Sequence, residues 1–349
     1  MISPASPPSD GNQGEEAVGA PRLVAVSVDL DEVSEYLAIH GLPPAAGTAE
    51  HLVYEVALPR LQAWAHRESI PLTLFVIARD AQRAQAAEAL RASVAAGAEI
   101  GNHSLDHRYD LTRLQGGDLR RQITRAQDIL AAEVGERPVG FRAPGYTVTD
   151  RLLSLLEEEG FAYDASVFPC PAYYAAKLVV LAGMRLRGRA SRSIVGHPRA
   201  LAAPRCPYRV GRPFWVRGTG LAEVPVQVVG PLRLPFFGTT IALAPEPALG
   251  QLIAWAEREP SISLELHGLD FLDTADLSGP LPNLQPDLTV PFEKKLARLT
   301  RVVGSLRGAG FRFRTLRDLA AATVGTPADV GAAARPSFRS ERAAALLRR

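Results

Sequence analysis

The sequence predicts an α/β fold built on a largely parallel sheet, and three observations predict it. Stretches at 23–28, 72–76 and 262–266 read as strands, and the continuous apolar run at 72–76 has the mark of a buried parallel one. Helix-length stretches separate such runs, and this alternation implies parallel pairing through right-handed crossovers. The unusual polar residues fall where the runs end, at Asp29 and Asp31, His103 and His107, Arg142, and His267. Barrels and open sheets of this class place their sites there.

In chain order, residues 1–21 are rich in Pro, Ser, Gly and Glu and are expected to be disordered. The strand 23–28 opens the fold. Leu52, Val56, Leu61 and Trp64 mark an amphipathic helix over 49–68. After strand 72–76, Asp80 is the expected N-cap of an alanine-rich helix that ends at Gly97. A short strand at 99–102 delivers His103. The pattern continues with helix 117–134, strand 139–142, helix 149–159 and strand 161–164. Residues 169–222, rich in Arg, Pro and Gly, break it and read as an inserted loop with an apolar anchor over the site. Alternation resumes with strand 223–229, helix 247–258, strand 262–266, helix 292–307 and strand 311–313. From residue 323 the chain is Ala- and Arg-rich, and 341–349 has the pattern of a short basic amphipathic helix. The expected organisation is one catalytic domain over 22–322 between two tails, 1–21 and 323–349.

Composition excludes several classes. Hydrophobic residues make up 47% of 349, ample for a large core, and a formal net charge of +2 gives no basic field for nucleic acid. Two cysteines, Cys170 and Cys206, make neither a disulfide framework nor a zinc ribbon and are expected to be free thiols. The first residues lack a charged segment followed by an apolar one, and no run reaches the length of a membrane span. The expected location is the cytoplasm. Oligomeric state is left open.

The chemistry centres on His103-Ser104-Leu105-Asp106-His107. Histidines four apart share one face of a helical turn and come within reach of one metal ion. Strand alternation lets Asp29 and Asp31 take different roles only if the strand is already turning into a loop. On that expectation Asp31, His103 and His107 hold one divalent metal and Asp29 handles a proton. Zinc suits the donor set best, with cobalt, nickel or manganese also accepted. His40, His51, His66 and His197 lie outside any motif.

His103-Ser104-x-x-His107, Arg142-Ala143-Pro144 and Leu264-Glu265-Leu266-His267, in this order, resemble the polysaccharide deacetylase family, also called the NodB-homology or carbohydrate esterase 4 family. The resemblance covers about residues 22–320. It implies a distorted, incomplete (β/α)7-type barrel with an insertion at about 169–222. It also implies a metal-dependent hydrolase acting on N-acylated amino sugars. Arg142 would pair with Asp29, the base. Gly145 would offer its N–H to an oxyanion, and His267 would be the acid. Tyr146 and Asp270 would shape the substrate pocket. Many members have adjacent aspartates after the first strand, whereas Asp29-Leu30-Asp31-Glu32 separates them. That form is similar to a branch acting on non-polymeric substrates, lipid-linked sugars included, and leaves open which aspartate holds the ion. The family's aspartate–tryptophan motif has no clear counterpart; Asp164 and Trp215 are the candidates. The expected substrate is an acetylated or formylated amino sugar on a glycoconjugate, nucleotide or lipid, with peripheral membrane contact if a lipid carries it. Two alternatives are a metal-dependent amidohydrolase on a non-sugar amide and an inactive carbohydrate-binding protein. The second is disfavoured because binding alone needs neither base nor acid.

Overall fold

The computed structural model describes residues 22–325 apart from Ala190 and Ser278. The expected disordered segment 1–21 and the basic helix at 341–349 lie outside the described residues. The chain runs β1 (Leu23–Asp29), α1 (Val33–Ile39), α2 (Leu58–Arg67), β2 (Leu72–Val76), α3 (Ala78–Ala81), α4 (Ala84–Ala95), β3 (Glu99–Asn102), α5 (Gly116–Val134), β4 (Gly140–Phe141), α6 (Asp150–Glu158) and β5 (Tyr163–Asp164). It continues with α7 (Pro171–Leu186), β6 (Tyr208–Val210), β7 (Arg217–Glu223), β8 (Val228–Val229), β9 (Leu234–Pro235), α8 (Gly238–Leu243) and α9 (Glu246–Ala256). It closes with β10 (Ser261–His267), α10 (Phe292–Gly308), β11 (Arg312–Arg314) and α11 (Leu316–Val324).

The main sheet has the order β10-β1-β2-β3-β4-β5-β7-β6, with β11 also on β1. Every pairing is parallel except β6 with β7. The seven parallel strands from β10 to β7 form the incomplete barrel. Between β7 and β10 only the β8–β9 hairpin intervenes, touching β10 through an isolated Phe237–Glu265 bridge and a Gln227 N–H to Ser263 carbonyl bond of 3.3 Å. All residues of β1 and β2 are buried: one face packs on helices and the other on the barrel interior and α11. The largest apolar cluster joins these strands to α2, α9 and α10. Trp64 lies at its centre with Nε1–H donating to Thr300 Oγ1 at 3.1 Å. Truncating it to alanine would destabilise the fold by about 3–5 kcal/mol. Among the described residues no helix is long and apolar enough to cross a membrane.

Several elements differ from the sequence expectation. The helix over 49–68 is a 3₁₀ turn at Gly47–Ala49, a π turn at Val53–Ala57 and then α2. Pro59 supplies no N–H and interrupts the regular ladder. Asp80 caps nothing: it lies inside α3, and α4 starts after an extended Arg83. The strand expected at 223–229 splits at Pro225, which cannot donate to a ladder, leaving β7 and β8. The insertion 169–222 is less a loop than expected, because it contains α7 and the β6–β7 edge of the sheet. Cys170 and Cys206 are free.

Candidate active site

β1 ends on Asp29, and Asp31 lies two residues on, past the strand, with Leu30 between them turned into the core. The strand thus ends before Asp31, as the expected turn into a loop has it, and the two carboxylates meet different partners. Leu30 N–H still bonds Phe75 O of β2 at 3.1 Å, which keeps the extended course past Asp29.

β3 delivers His103. The next residues are not a helical turn, contrary to the reading of the H-x-x-x-H spacing. Ser104 and His107 both take positive φ, 67° and 52°, a strained conformation that persists only where its surroundings over-determine it. Three bonds do so here. Ser104 N–H donates to Asn102 Oδ1 at 2.8 Å, Ser104 Oγ accepts His107 N–H at 3.1 Å, and Leu105 N–H donates to Gln122 O of α5 at 2.9 Å. The serine of the motif thus shapes the loop.

The result is a buried triad. His103 Nε2 and His107 Nε2 lie 3.2 Å apart, and Asp31 Oδ1 lies 3.3 and 3.2 Å from them. A tetrahedral edge for ligands at zinc distances spans about 3.3 Å, so the spacing fits one ion. Asp31 Oδ1 is buried and has no hydrogen-bond partner, which a polar atom in a native interior rarely tolerates. The outer ring nitrogens are already engaged. His103 Nδ1 faces Arg142 O at 2.8 Å, and His107 Nδ1 faces Glu35 Oε2 at 3.2 Å. Each bond fixes the tautomer that leaves Nε2 free to ligate. Burial opposes charge on Asp31, but the two imidazoles outweigh it and hold the carboxyl well below its usual range. Burial likewise opposes charge on His107, yet Asp31 and Glu35 carry it up to about 10. Asp31 and Glu35 thus favour positive charge where the two imidazoles meet. Glu35 of α1, itself paired with Arg79, had no signal in the sequence beyond the helical phase of α1.

On the other side of Leu30, Asp29 Oδ1 accepts from Arg142 Nη1 at 2.6 Å. Arg142 is fully buried and completely engaged. Its Nη2 donates to Ser27 Oγ at 2.9 Å, its Nε donates to Ala165 O at 2.9 Å, and its guanidinium lies 4.2 Å from the Phe75 ring centroid. Gly101 is needed beneath that stack, because a Cβ there would collide with the Phe75 ring. Asp29 Oδ2 points the other way, 3.8 Å from His103 Nε2.

His267 stands directly opposite Asp29 in the β1–β10 register. Its Nδ1 is 3.3 Å from Glu265 Oε1, and Glu265 also accepts from the Tyr146 hydroxyl, which is itself 3.3 Å from His267 Nε2. Burial disfavours the imidazolium, but Glu265, then Asp29, outweigh it and raise His267 to about 9. Burial pushes Glu265 up from the ordinary carboxylate range. Asp270 accepts the backbone N–H of His267 at 2.8 Å, so it shapes the turn after β10 and does not touch the imidazole through that bond.

Gly145 (φ 64°) and Tyr146 line one pocket of about 300 Å³ with Asp29, Asp31, His103 and His267. Tyr36, Tyr109, Tyr173, Phe237 and the predicted Asp270 are among its other walls. Two candidates lie elsewhere. Asp164 is spent on Ser166, whose hydroxyl is at 2.7 Å, and on neighbouring Glu223; Trp215 stacks on His197 with ring centroids 4.9 Å apart. Neither lines the pocket. The carboxylate beside His267 is Glu265, the x of Leu-x-Leu-His, and an inward phase on β10 was its one sequence signal.

Residues 54–163 match the family model described as polysaccharide deacetylase. That span holds His103, His107 and Arg142 and ends before β10. Peptidoglycan deacetylase-like protein FGM2 of Gibberella zeae is 39% identical over 77 residues, which are 22% of this chain and 22% of that protein. Among solved structures, Puue allantoinase has a TM-score of 0.54 at 20% identity, covering 88% of this chain and 93% of its own. A probable polysaccharide deacetylase from Pseudomonas aeruginosa PAO1 has a TM-score of 0.52 at 18% identity, covering 87% and 91%. At these identities the likeness to solved structures is one of fold.

Proposed function

We propose that the chain is a member of the polysaccharide deacetylase family, whose model matches residues 54–163, and that it is a metal-dependent hydrolase removing an N-acyl group, acetyl or formyl, from an amino sugar. The carrier is a glycoconjugate, a nucleotide or a lipid. The observation that carries this reading is the unpartnered, buried Asp31 Oδ1 between Nε2 of His103 and Nε2 of His107, two residues from an Arg-paired carboxylate that stands opposite His267.

Asp31, His103 and His107 would hold the ion, with zinc the best fit and cobalt, nickel or manganese accepted. A divalent ion in such a site supplies Lewis acidity and lowers the pKa of water toward neutrality. The protein's own groups do the rest. Arg142 occupies Asp29 Oδ1, so Oδ2 is the atom free to take a proton from the attacking water. The Gly145 N–H is the donor for the oxyanion that forms as water oxygen bonds to the acyl carbon. His267, protonated below about 9, gives its proton to the amine nitrogen as the C–N bond breaks. Glu265 and Tyr146 hold the imidazole in place. The pocket of about 300 Å³ is at the small end of ligand sites and favours one sugar residue over an extended polymer.

The test is a primary-amine release assay on N-acetyl and N-formyl amino sugars, free, nucleotide-linked and lipid-linked, with a non-sugar amide as comparison. Release from at least one sugar by the metal-loaded protein is expected. Release from the non-sugar amide alone would replace the substrate class, and no release from any would favour a binding protein.

A further inference from the structure

Helix α7 is inside out. Its inner face carries its one charged side chain before the last turn: Lys177 Nζ donates to Gly145 O at 3.0 Å, and burial lowers the ammonium to about 8. Tyr173, one turn earlier, lines the active-site pocket. The outer face is apolar. Ala172, Ala175, Ala176, Val179, Ala182 and Leu186, spaced three or four apart, are all exposed. Val179 is 72% exposed and Leu186 is 89% exposed, while Leu178 and Val180 beside them are each 45% exposed. Of the seven large hydrophobic residues recorded as exposed among the described residues, four sit on this one helix. A stripe of this kind facing water marks an interaction surface.

The charge around it is one-signed. Arg185, Arg187 and Arg189 are exposed at the carboxyl end of the stripe, and no acidic residue occurs between Asp164 and Glu223. An apolar helical face with arginines at its edge fits the boundary of an anionic bilayer, where aliphatic side chains sink below the headgroups and guanidiniums pair with them. A second copy of this chain would meet the same arginines with like charge.

We propose that α7 docks the protein on an anionic lipid surface through Val179, Leu186 and their neighbours, with the pocket mouth held beside the membrane. The inner face of the same helix meets the pocket through Tyr173 and Gly145 through Lys177. An acylated amino sugar on a lipid carrier would therefore enter from the surface on which the helix lies. This last step rests on the deacylase reading, whereas the docking does not.

The experiment is co-sedimentation of the full-length protein with phosphatidylcholine vesicles, with and without phosphatidylglycerol. The wild type is compared with a Val179→Asp/Leu186→Glu variant and with an Arg185→Gln/Arg187→Gln/Arg189→Gln variant. Circular dichroism and one bound metal per chain serve as checks on folding. The expected result is partition onto anionic vesicles, lowered about tenfold or more in the first variant and to the level of neutral vesicles in the second. Absence of binding by the wild type, or unchanged binding by the Asp/Glu variant, overturns the proposal. So does a concentration-dependent dimer in sedimentation velocity that the same variant abolishes, because the occupant is then a second copy. Amine release from a water-soluble substrate reports on the deacylase reading separately and is expected to be unchanged in both variants.

Discussion

Leu30 divides the site into two clusters that meet their electrostatic needs in opposite ways. On the Asp31 side, the carboxylate oxygen facing His103 and His107 is buried without a hydrogen-bond partner. The outer nitrogen of each imidazole is held from behind, by Arg142 O and Glu35. On the Asp29 side almost every polar group has a protein partner: Arg142 with Asp29, Ser27 and Ala165, and Glu265 with Tyr146 and His267. The first cluster leaves unpartnered the oxygen that faces both imidazoles, whereas in the second the unpartnered buried atom is Glu265 Oε2, while Glu265 Oε1 is engaged by Tyr146 and His267. Asp29 at the end of β1 and Asp31 two residues beyond it take different parts because they meet different partners, Arg142 for the one and the imidazoles of His103 and His107 for the other.

That contrast can be broken in order of expected effect. His103→Ala removes a ligand from the incomplete cluster. Metal content is expected to fall from one ion per chain toward zero and activity to below about a thousandth of wild type. Plasma emission spectrometry on the purified variant checks it, and full occupancy would reassign the ligand. Asp29→Asn acts on the other side only. Amine release should drop ~10²–10⁴-fold while the ion stays bound; retained turnover would take the base role from Asp29.

Glu265→Gln is expected to lower kcat/KM by ~10²-fold and to move its pH profile. His267 is raised to about 9 from 6.5, with Glu265 the leading charge that raises it. Wild-type activity that needs the imidazolium therefore falls as pH rises through about 9, and the variant's limb should lie lower. The same shift makes the His267 contribution to stability complete below 6.5 and lost as pH rises through about 9. A limb that does not move would separate Glu265 from the acid. The smallest effect is expected from Glu35→Gln, which loosens His107 from behind. Metal affinity should fall by roughly 10–100-fold with the ion still loaded at saturation, measured by competition with a chelator.

Strand positions and the site at their ends were legible because buried strands and polar strand ends leave one-dimensional marks. The runs at β1 and β2 are mostly apolar, β10 alternates, and Asp29, His103, Arg142 and His267 each stand at the end of a strand. Helix α7 was not legible. Its solvent face is as apolar as its inner one, so the amphipathic signal that marks other helices is missing. Glu265 and Glu35 escaped for a different reason. Each is one acidic residue in an ordinary element, and what distinguishes it is the histidine it faces, 2 residues on for Glu265 but 72 away for Glu35.

The sequence by itself determined the parallel α/β plan, the strand ends that carry the site, and the set of groups brought there. Those follow from local hydrophobic patterning and short motifs, which need no knowledge of partners. Only the tertiary structure decided which oxygen of Asp29 is free, that Asp31 Oδ1 is left unpartnered, and that Glu265 rather than Asp164 stands beside His267. The first two depend on distances between strand ends far apart in the chain, 113 residues for Asp29 and Arg142 and 72 for Asp31 and His103. Backbone register sets such distances across the sheet, as in the Asp29–His267 pairing.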